Sequence, residues 1–121
     1  MIYKDATGYS PYAEWVTNTL APVQLASLNR VLDEFLFKFG NSNLKAKWLK
    51  DLSSGLYQLR VQKKDQLGKK QVLLRINLHF YGNRQVLFLS GYDKKLNSSP
   101  ERQQSEIEFA RKLLKKWSGD E

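Results

Sequence analysis

Two arginines, one histidine and a short basic segment are the side chains of this sequence best suited to chemistry. Arg60 lies in LYQLRVQKK, Arg75 and His79 lie in QVLLRINLHFY, and residues 92–95 read Tyr-Asp-Lys-Lys. Arginine binds phosphate oxygens through a planar fork, and lysine adds a compact positive charge. The set therefore suits a phosphodiester ligand.

RNA is a phosphodiester that such residues can cleave without a metal ion, because its own 2′-hydroxyl attacks the neighbouring phosphate. The protein then has to help remove a proton, protonate the leaving oxygen and stabilise the anionic phosphorane. We expect Arg60 and Arg75 to hold the phosphate. The candidates for base stacking, added charge or proton transfer are Tyr92, Lys94, Lys95 and His79.

Each of these candidates also has a purely structural interpretation. The two arginines can form ion pairs with Asp51 or Asp65. A single histidine on a strand, such as His79, is more often a surface or hydrogen-bonded residue, and Tyr92 can simply pack in the core.

The positive charge of the chain is concentrated in one segment. The net charge is +8; residues 45–95 hold 12 basic and 3 acidic side chains, whereas residues 1–44 have a net charge of −1 and residues 96–121 of 0. Such a surface is typical of nucleic-acid binding, although an acidic protein partner or a solvated surface also fits. The candidate RNA contacts around the turns are Lys63, Lys64, Lys69, Lys70 and Arg84.

Metal ions and other cofactors are not expected. The chain has one His and no Cys, and its carboxylates do not fall at ligand spacing. It contains no P-loop, no dinucleotide-binding glycine motif and no serine in a nucleophile elbow.

The length and composition predict one domain covering residues 1–121. A chain of 121 residues with 41% hydrophobic side chains can bury one core. No segment is long and apolar enough to span a membrane, and the N-terminus lacks an apolar signal core. The absence of Cys suits the cytoplasm, so we expect a cytoplasmic protein with no membrane contact.

The expected fold is α+β, a small antiparallel sheet of three to four strands packed by two N-terminal helices and a C-terminal helix. Helix starts are indicated at Ser10-Pro11, Pro22 and Ser99-Pro100. Strands are predicted at 56–64, 71–81 and 85–92, with a further short strand near residues 2–4. Turns are predicted near residues 65–68 and at Gly82-Asn83.

The polar positions of the predicted strands share one face of the sheet, because side chains alternate with a period of two. We expect the helices to cover the apolar face only. The other face is then open, and it carries Gln58, Arg60, Arg75, Asn77 and His79.

Several short motifs resemble, in order and spacing, the phage-derived, HigB-like branch of the RelE toxin superfamily. They are GLYQLR at 55–60, LLRINLHFYGNRQVLFLSGYDKK at 73–95, Pro100 and IEFA at 107–110, and YKDATGYSPYAEWV at 3–16 is similar to the opening of that branch. The resemblance covers nearly the whole chain. It implies a RelE-like fold, with a compact sheet packed by helices.

The resemblance also implies a function. Members of the family are toxins of type II toxin–antitoxin pairs that typically cleave messenger RNA on the ribosome without a metal, and a small helix-turn-helix antitoxin neutralises this branch. By position, Arg60 and Arg75 match the two family arginines, Tyr92 matches the aromatic residue after the glycine, and Lys94 and Lys95 match the paired lysines.

Two departures from the family pattern leave alternatives open. Gln58 stands where the family usually has Glu, and Ser90 where a His often precedes the glycine. Lys94 or Lys95 can act as the base if desolvation and nearby cations lower the pKa, and His79 is the competitor. Besides the endoribonuclease, the alternatives are a gyrase-poisoning toxin on the same fold and a non-catalytic RNA-binding or inactivated toxin module.

Overall fold

The computed structural model describes residues 1–39, 48–82 and 85–119, except for the side chains of residues 35–39. Within these ranges the elements are α1 (Pro11–Thr19), α2 (Pro22–Phe39), β1 (Leu49–Asp51), β2 (Tyr57–Lys64), β3 (Lys70–Tyr81), β4 (Gln85–Asp93) and α3 (Pro100–Ser118). The strands pair antiparallel in the order β1-β2-β3-β4. None of the described helices has the length and apolar character needed to cross a membrane. The predicted α+β fold, with helices before and after an antiparallel sheet, is confirmed.

Helices α1 and α3 begin at the capping residues that the sequence indicates. Ser10 Oγ accepts a hydrogen bond from the N–H of Ala13 at 3.2 Å, and Ser99 Oγ accepts one from the N–H of Arg102 at 3.1 Å. A proline follows each cap, at a position where the N–H that proline lacks has no partner within the helix. The caps thereby satisfy donors that would otherwise be left without acceptors.

The turn between β2 and β3 is held by one carboxylate. Asp65 Oδ1 accepts hydrogen bonds from the backbone N–H groups of Leu67 and Lys69, both at 2.9 Å. Gly68 has a φ of 81°, a left-handed conformation that glycine adopts without steric penalty. The turn predicted near residues 65–68 is confirmed, whereas the one predicted at Gly82-Asn83 lies partly outside the described residues.

Helices pack on both faces of the sheet. On one face, a core cluster joins α1 and α2 to the strands and includes Leu28, Leu59 and Ile76. On the other face, a second cluster joins Leu87 of β4 to Ala110 of α3. The prediction that helices cover only one face is therefore wrong, because α3 crosses the second face and buries the apolar residues of β4 there.

The predicted open polar face is largely buried. The relative exposures of Gln58, Arg75 and Asn77 are 5%, 4% and 0%. Polar side chains in such positions need partners within the protein or in a ligand, because an unsatisfied buried polar group costs free energy.

Two short elements differ from the sequence-based expectation. The three residues of β1 pair with residues 57–59 of β2, in a segment where only Leu49 is buried and no alternating pattern marks a strand. The strand expected near residues 2–4 is an isolated parallel bridge between Ile2 and Phe88.

Candidate functional site

Arg60 and Arg75 face each other across β2 and β3. They are partners in the antiparallel ladder, and Arg75 is also the ladder partner of Tyr92 on β4. Directly opposed residues project to the same face, with Cβ atoms about 4.5–5.5 Å apart. The side chains of Arg60, Arg75 and Tyr92 therefore form one row across the sheet, the arginine row.

Arg75 is a buried cation. Its relative exposure is 4%, and its Nη1 donates a long hydrogen bond of 3.4 Å to the carbonyl of Leu74. Desolvation lowers the pKa of Arg75, and the charge of Arg60 lowers it further, while Tyr92 acts in the opposite direction. The fold therefore holds this guanidinium in an environment that disfavours its charge.

Neither arginine forms an ion pair within the described part of the chain. The salt bridge found there joins Arg102 to Glu106 on α3. Asp51 and Asp65, the structural partners expected from the sequence, accept hydrogen bonds from nearby backbone N–H groups instead. A buried charge without a partner is costly, so an anionic ligand at the arginine row would offset both the desolvation and the repulsion between the two cations.

Arg60 carries a buried N–H group without an acceptor. Its Nε is shielded from solvent and has no hydrogen-bond partner among the described residues. An unsatisfied buried donor costs about 1–3 kcal/mol. Arg60 also lines a cavity of about 380 Å³ between α2 and β2. The unused donor and the adjacent cavity together make Arg60 a candidate ligand-binding residue.

Lys94 joins the arginine row from the end of β4. Its N–H donates to the carbonyl of Leu73 at 2.9 Å, which continues the ladder and directs its side chain to the same face as Arg75. Desolvation lowers the pKa of Lys94, and four neighbouring cations lower it further: Arg75, Lys70, Arg60 and Lys50. Lys94 therefore combines desolvation with nearby cations, which are the two conditions under which a lysine can act as a base.

Lys95 has a different environment from Lys94. Its backbone N–H donates to Asp93 Oδ1 at 2.9 Å, and its Nζ donates to the carbonyl of Gln71 at 3.4 Å. The side chain is exposed. The structure therefore separates the two lysines, and it brings Lys94 rather than Lys95 to the arginines.

A neutral polar network lies next to the arginine row. Gln58 Nε2 donates to Asn77 Oδ1 at 3.2 Å and to the hydroxyl oxygen of Tyr92 at 3.4 Å. Asn77 Nδ2 donates to Ser90 Oγ at 3.2 Å. All four residues are buried. Because the amide of Gln58 is closed from solvent and engaged as a donor, position 58 supplies no proton acceptor for catalysis.

Tyr92 is part of this network and not a surface aromatic. Its relative exposure is 3%, so its ring offers no open face on which a base can stack. Burial raises the pKa of its hydroxyl, although Gln58 and Arg75 both lower it. The stacking role expected from the sequence does not fit this geometry, in which the hydroxyl of Tyr92 accepts a hydrogen bond from Gln58 inside the protein.

His79 lies apart from the arginine row. It is four residues from Arg75 along β3, which corresponds to about 13 Å at the usual rise of a strand. Its Nδ1 donates to the carbonyl of Gly55 at 2.7 Å, and its ring packs edge-on against Trp117 with a centroid distance of 5.6 Å. This is the geometry of a hydrogen-bonded structural histidine.

The lysines predicted to contact RNA surround the β2–β3 hairpin. They are exposed and comprise Lys63, Lys64, Lys69 and Lys70. Arg84 lies outside the described residues. Lys50 on β1 also acts on Lys94; sequence reasoning missed Lys50 because nothing in residues 41–55 marks a strand.

The carboxylates of the described residues do not converge on this site. No three His, Asp or Glu side chains within those ranges are close enough to share a metal ion. Glu106 is the acidic residue that acts on Tyr92. Its Oε1 lies 3.4 Å from Arg102 Nη2, and burial raises its pKa while Arg102 lowers it. Glu106 therefore forms an ion pair with Arg102 within α3.

The site is a row of cations beside a neutral polar network. It brings together two guanidinium groups and one ammonium group on one face of the sheet. Such a site can bind an anion and stabilise additional negative charge that develops on it. No protein-family model matches the chain, and a search of the curated proteins returned no match.

Proposed function

We propose that this protein is a metal-independent endoribonuclease, the toxin of a type II toxin–antitoxin pair, and that it cleaves messenger RNA. The observation that carries the proposal is the opposed pair Arg60 and Arg75, which has no ion-pair partner among the described residues. Lys94 adds a third positive charge beside this pair. The three cations are complementary to a phosphodiester and to its more highly charged transition state.

The nucleophile in this proposal is the 2′-hydroxyl of the substrate RNA. Its oxygen forms a bond to the adjacent phosphorus, and the bond from that phosphorus to the 5′-oxygen breaks. Lys94 in its neutral form accepts the proton of the 2′-hydroxyl, the leaving 5′-oxygen takes a proton from water, and the hydroxide formed takes the proton from Lys94, which restores its neutral form. The products are a 2′,3′-cyclic phosphate and a 5′-hydroxyl. A positioned base of this kind contributes about 10²–10⁴-fold.

Arg60 and Arg75 hold the phosphate and stabilise the phosphorane. The sheet fixes both guanidinium groups before the substrate binds, so they need little reorganisation during the reaction. The burial of Arg75 also reduces screening by water, which strengthens its interaction with the developing charge. Removing one preorganised donor typically lowers kcat by about 10²–10³-fold.

The proposed partners follow from the resemblance to RelE-like toxins. They are messenger RNA on the ribosome as the substrate and a small helix-turn-helix antitoxin as the inhibitor, both in the cytoplasm. The support in this chain is the order of the motifs at 55–60 and 73–95 and the net charge of +9 in residues 45–95. A surface with this charge favours binding to a polyanion.

A second candidate, RNA binding without cleavage, is favoured by one observation. Gln58 occupies the position of the usual family glutamate, and it is buried and hydrogen-bonded to Asn77. A protein without a carboxylate base at this position can use the same arginines to bind RNA and release it unchanged. Its affinity would fall steeply as the salt concentration rises.

Controlled expression with mapping of messenger RNA 5′ ends tests the proposal. The nuclease predicts new 5′ ends for the wild type and their loss in Arg60→Ala and in Arg75→Ala. Lys112→Ala removes an exposed positive charge of α3 and serves as the matched control, which should cleave normally. RNA binding without new 5′ ends would favour the second candidate. Chromosome breaks with intact messenger RNA would instead indicate the gyrase-poisoning alternative.

A further inference from the structure

Lys50 lies on the face of the sheet that carries the arginine row. It is the ladder partner of Gln58 in the pairing of β1 with β2, and Gln58 is two residues before Arg60. Opposed residues, and residues two apart on one strand, project to the same face of a sheet, so Lys50 shares its face with Arg60 and Arg75. Its neighbour Leu49 belongs to the core cluster on the opposite face, as this alternation requires.

The position of Lys50 is the exposed end of a buried row. That row crosses the sheet beside the arginine row through Gln58, Asn77 and Ser90, which are buried and hydrogen-bonded in that order. Lys50 itself is exposed, so a ligand can approach its ammonium group from solvent. The neutral row therefore ends in one accessible cation.

The charge of Lys50 acts on the cations of the site. Lys50 is among the groups that lower the pKa of Lys94. Adjacent strands lie about 4.8 Å apart, and two residues along a strand span about 6.8 Å, which places the Cα atoms of Lys50 and Arg60 about 8 Å apart. This separation suits two neighbouring groups of one ligand better than a single shared group.

Among the described residues, Lys50 has no acidic partner. The salt bridge found there joins two residues of α3. The adjacent acid, Asp51, projects to the opposite face by alternation, and its Oδ1 accepts a hydrogen bond from the N–H of Ser53 at 2.7 Å. The charge of Lys50 is therefore available to an anion.

The turn that follows β1 is strained and is held by α3. Ser53 and Ser54 have φ values of 73° and 54°, a left-handed conformation that is unfavourable for residues with a Cβ atom. Arg111 of α3 donates hydrogen bonds to the carbonyls of Leu52 and Ser53, which fixes the turn and with it the end of β1. Backbone strain that the surrounding structure enforces is concentrated at functional sites.

We propose that Lys50 binds the phosphate next to the one held by Arg60 and Arg75, so that two consecutive phosphates of the RNA lie across β1, β2 and β3. The inference rests on the proposed function and adds a second phosphate subsite to it. Proteins commonly bind single strands through a positively charged groove that follows the backbone. A lysine acts on phosphate as a point charge and reads no base, so this subsite places the strand without selecting its sequence.

RNA analogues of two lengths test the second subsite. A 2′-O-methyl dinucleotide with one phosphate and a trinucleotide with two lack the attacking hydroxyl, so their affinities can be measured without cleavage. The dinucleotide fills the arginine subsite, whereas the trinucleotide also reaches Lys50. Lys50→Gln should weaken trinucleotide binding about 3- to 10-fold. Dinucleotide binding should stay within about twofold of the wild type, because salt screens an exposed charge about 8 Å away.

The salt dependence of hexamer binding gives a second readout. Loss of one phosphate contact should reduce the slope of log K against log salt concentration by about 0.7 for a single strand. Lys50→Arg keeps the positive charge and should restore both the slope and the trinucleotide affinity. The matched control is Lys112→Gln, which removes an exposed charge of α3 and should bind all three analogues like the wild type.

Three results would overturn the second subsite. They are equal losses of affinity for both lengths in Lys50→Gln, no loss for either length, and a Lys50→Arg variant that binds as weakly as Lys50→Gln. The first would mean that Lys50 acts on the arginine subsite alone, and the last would mean that its role is structural.

The same measurements separate this proposal from the nuclease. Cleavage that depends on Arg75, combined with unchanged trinucleotide binding in Lys50→Gln, would remove the second subsite and leave the nuclease standing. Length-dependent binding through Lys50, without cleavage of unmodified RNA, would leave the subsite standing and remove the nuclease.

Discussion

Arg60 and Arg75 are directly opposed across β2 and β3, with Arg75 almost completely buried. Like charges in this position on a sheet repel each other and destabilise the pairing. Arg75 has no counter-ion among the described residues, so its burial adds a desolvation penalty. The two arginines therefore lower the stability of the fold. Residues that lower stability in this way are expected where a ligand binds.

Replacing Arg75 by methionine should therefore abolish cleavage and stabilise the fold. Methionine keeps an unbranched side chain but removes the charge, so the repulsion and the desolvation penalty both disappear. We expect kcat to fall by at least about 10²-fold, and the free energy of unfolding to rise by about 1–2 kcal/mol. Cleavage of an RNA oligonucleotide and thermal unfolding measure the two effects.

The control for this variant is Lys112→Met, which removes an exposed charge on α3. It should leave cleavage unchanged, and it should alter the free energy of unfolding by less than about 0.5 kcal/mol. An Arg75→Met protein that is both fully active and less stable than the wild type would contradict the assignment of this residue as an unpaired ligand-binding cation.

The environment of Lys94 predicts that cleavage accelerates as the pH rises. Desolvation, followed by the charges of Arg75 and Lys70, lowers its pKa, so its neutral fraction at a given pH exceeds that of an ordinary lysine. Below its pKa the rate should rise about tenfold per pH unit, and above it the rate should level off. The pH profile of kcat measures this dependence.

Lys94→Arg tests whether Lys94 is the titrating group. Arginine keeps the positive charge but does not lose its proton in this range. We expect RNA affinity close to that of the wild type, a large fall in kcat and a flat pH profile. Lys95→Arg is the matched control, because the side chain of Lys95 contacts Gln71 and not the arginines. A normal profile in Lys94→Arg would assign the base to another group.

The strands that carry the arginines are the part of the site that the sequence predicts well. Alternation of polar and apolar residues in β2 and β3 places Arg60 and Arg75 on one face, because side-chain direction in a strand follows from spacing alone. The turn at residues 65–68 then makes the strands neighbours. Their direct opposition is set by the register of the hairpin, which the pattern does not specify.

Burial is the part that the sequence does not predict. The sequence predicts that a C-terminal helix packs against the sheet, but it does not indicate which face of the sheet the helix covers. Because α3 takes the second face, Gln58 and Asn77 are buried and hydrogen-bonded to each other instead of being open to solvent. The cavity that Arg60 lines is bordered by Trp48, which directly precedes β1, a three-residue strand too short for a detectable pattern.

Tyr92→Phe distinguishes a positioning role for this tyrosine from a direct one. The substitution keeps the buried ring and removes the hydroxyl, which lies 3.4 Å from Gln58 Nε2. We expect the free energy of unfolding to fall by about 0.5–1.5 kcal/mol because one buried hydrogen bond is lost. Cleavage should remain close to that of the wild type. A large loss of kcat without loss of stability would make the hydroxyl a catalytic group.

His79→Asn and His79→Ala together decide between a structural and a catalytic histidine. Asparagine retains an N–H group that can donate to the carbonyl of Gly55, whereas alanine leaves that carbonyl without its donor and opens space beside Trp117. We expect the alanine variant to lose about 1–3 kcal/mol of unfolding free energy and the asparagine variant to lose less. Both should cleave RNA at the wild-type rate, because His79 lies about 13 Å along β3 from Arg75.

A catalytic histidine requires the opposite pattern, in which both variants lose about 10²–10⁴-fold in kcat regardless of their stability. Thermal unfolding and single-turnover cleavage of the same preparations separate these outcomes.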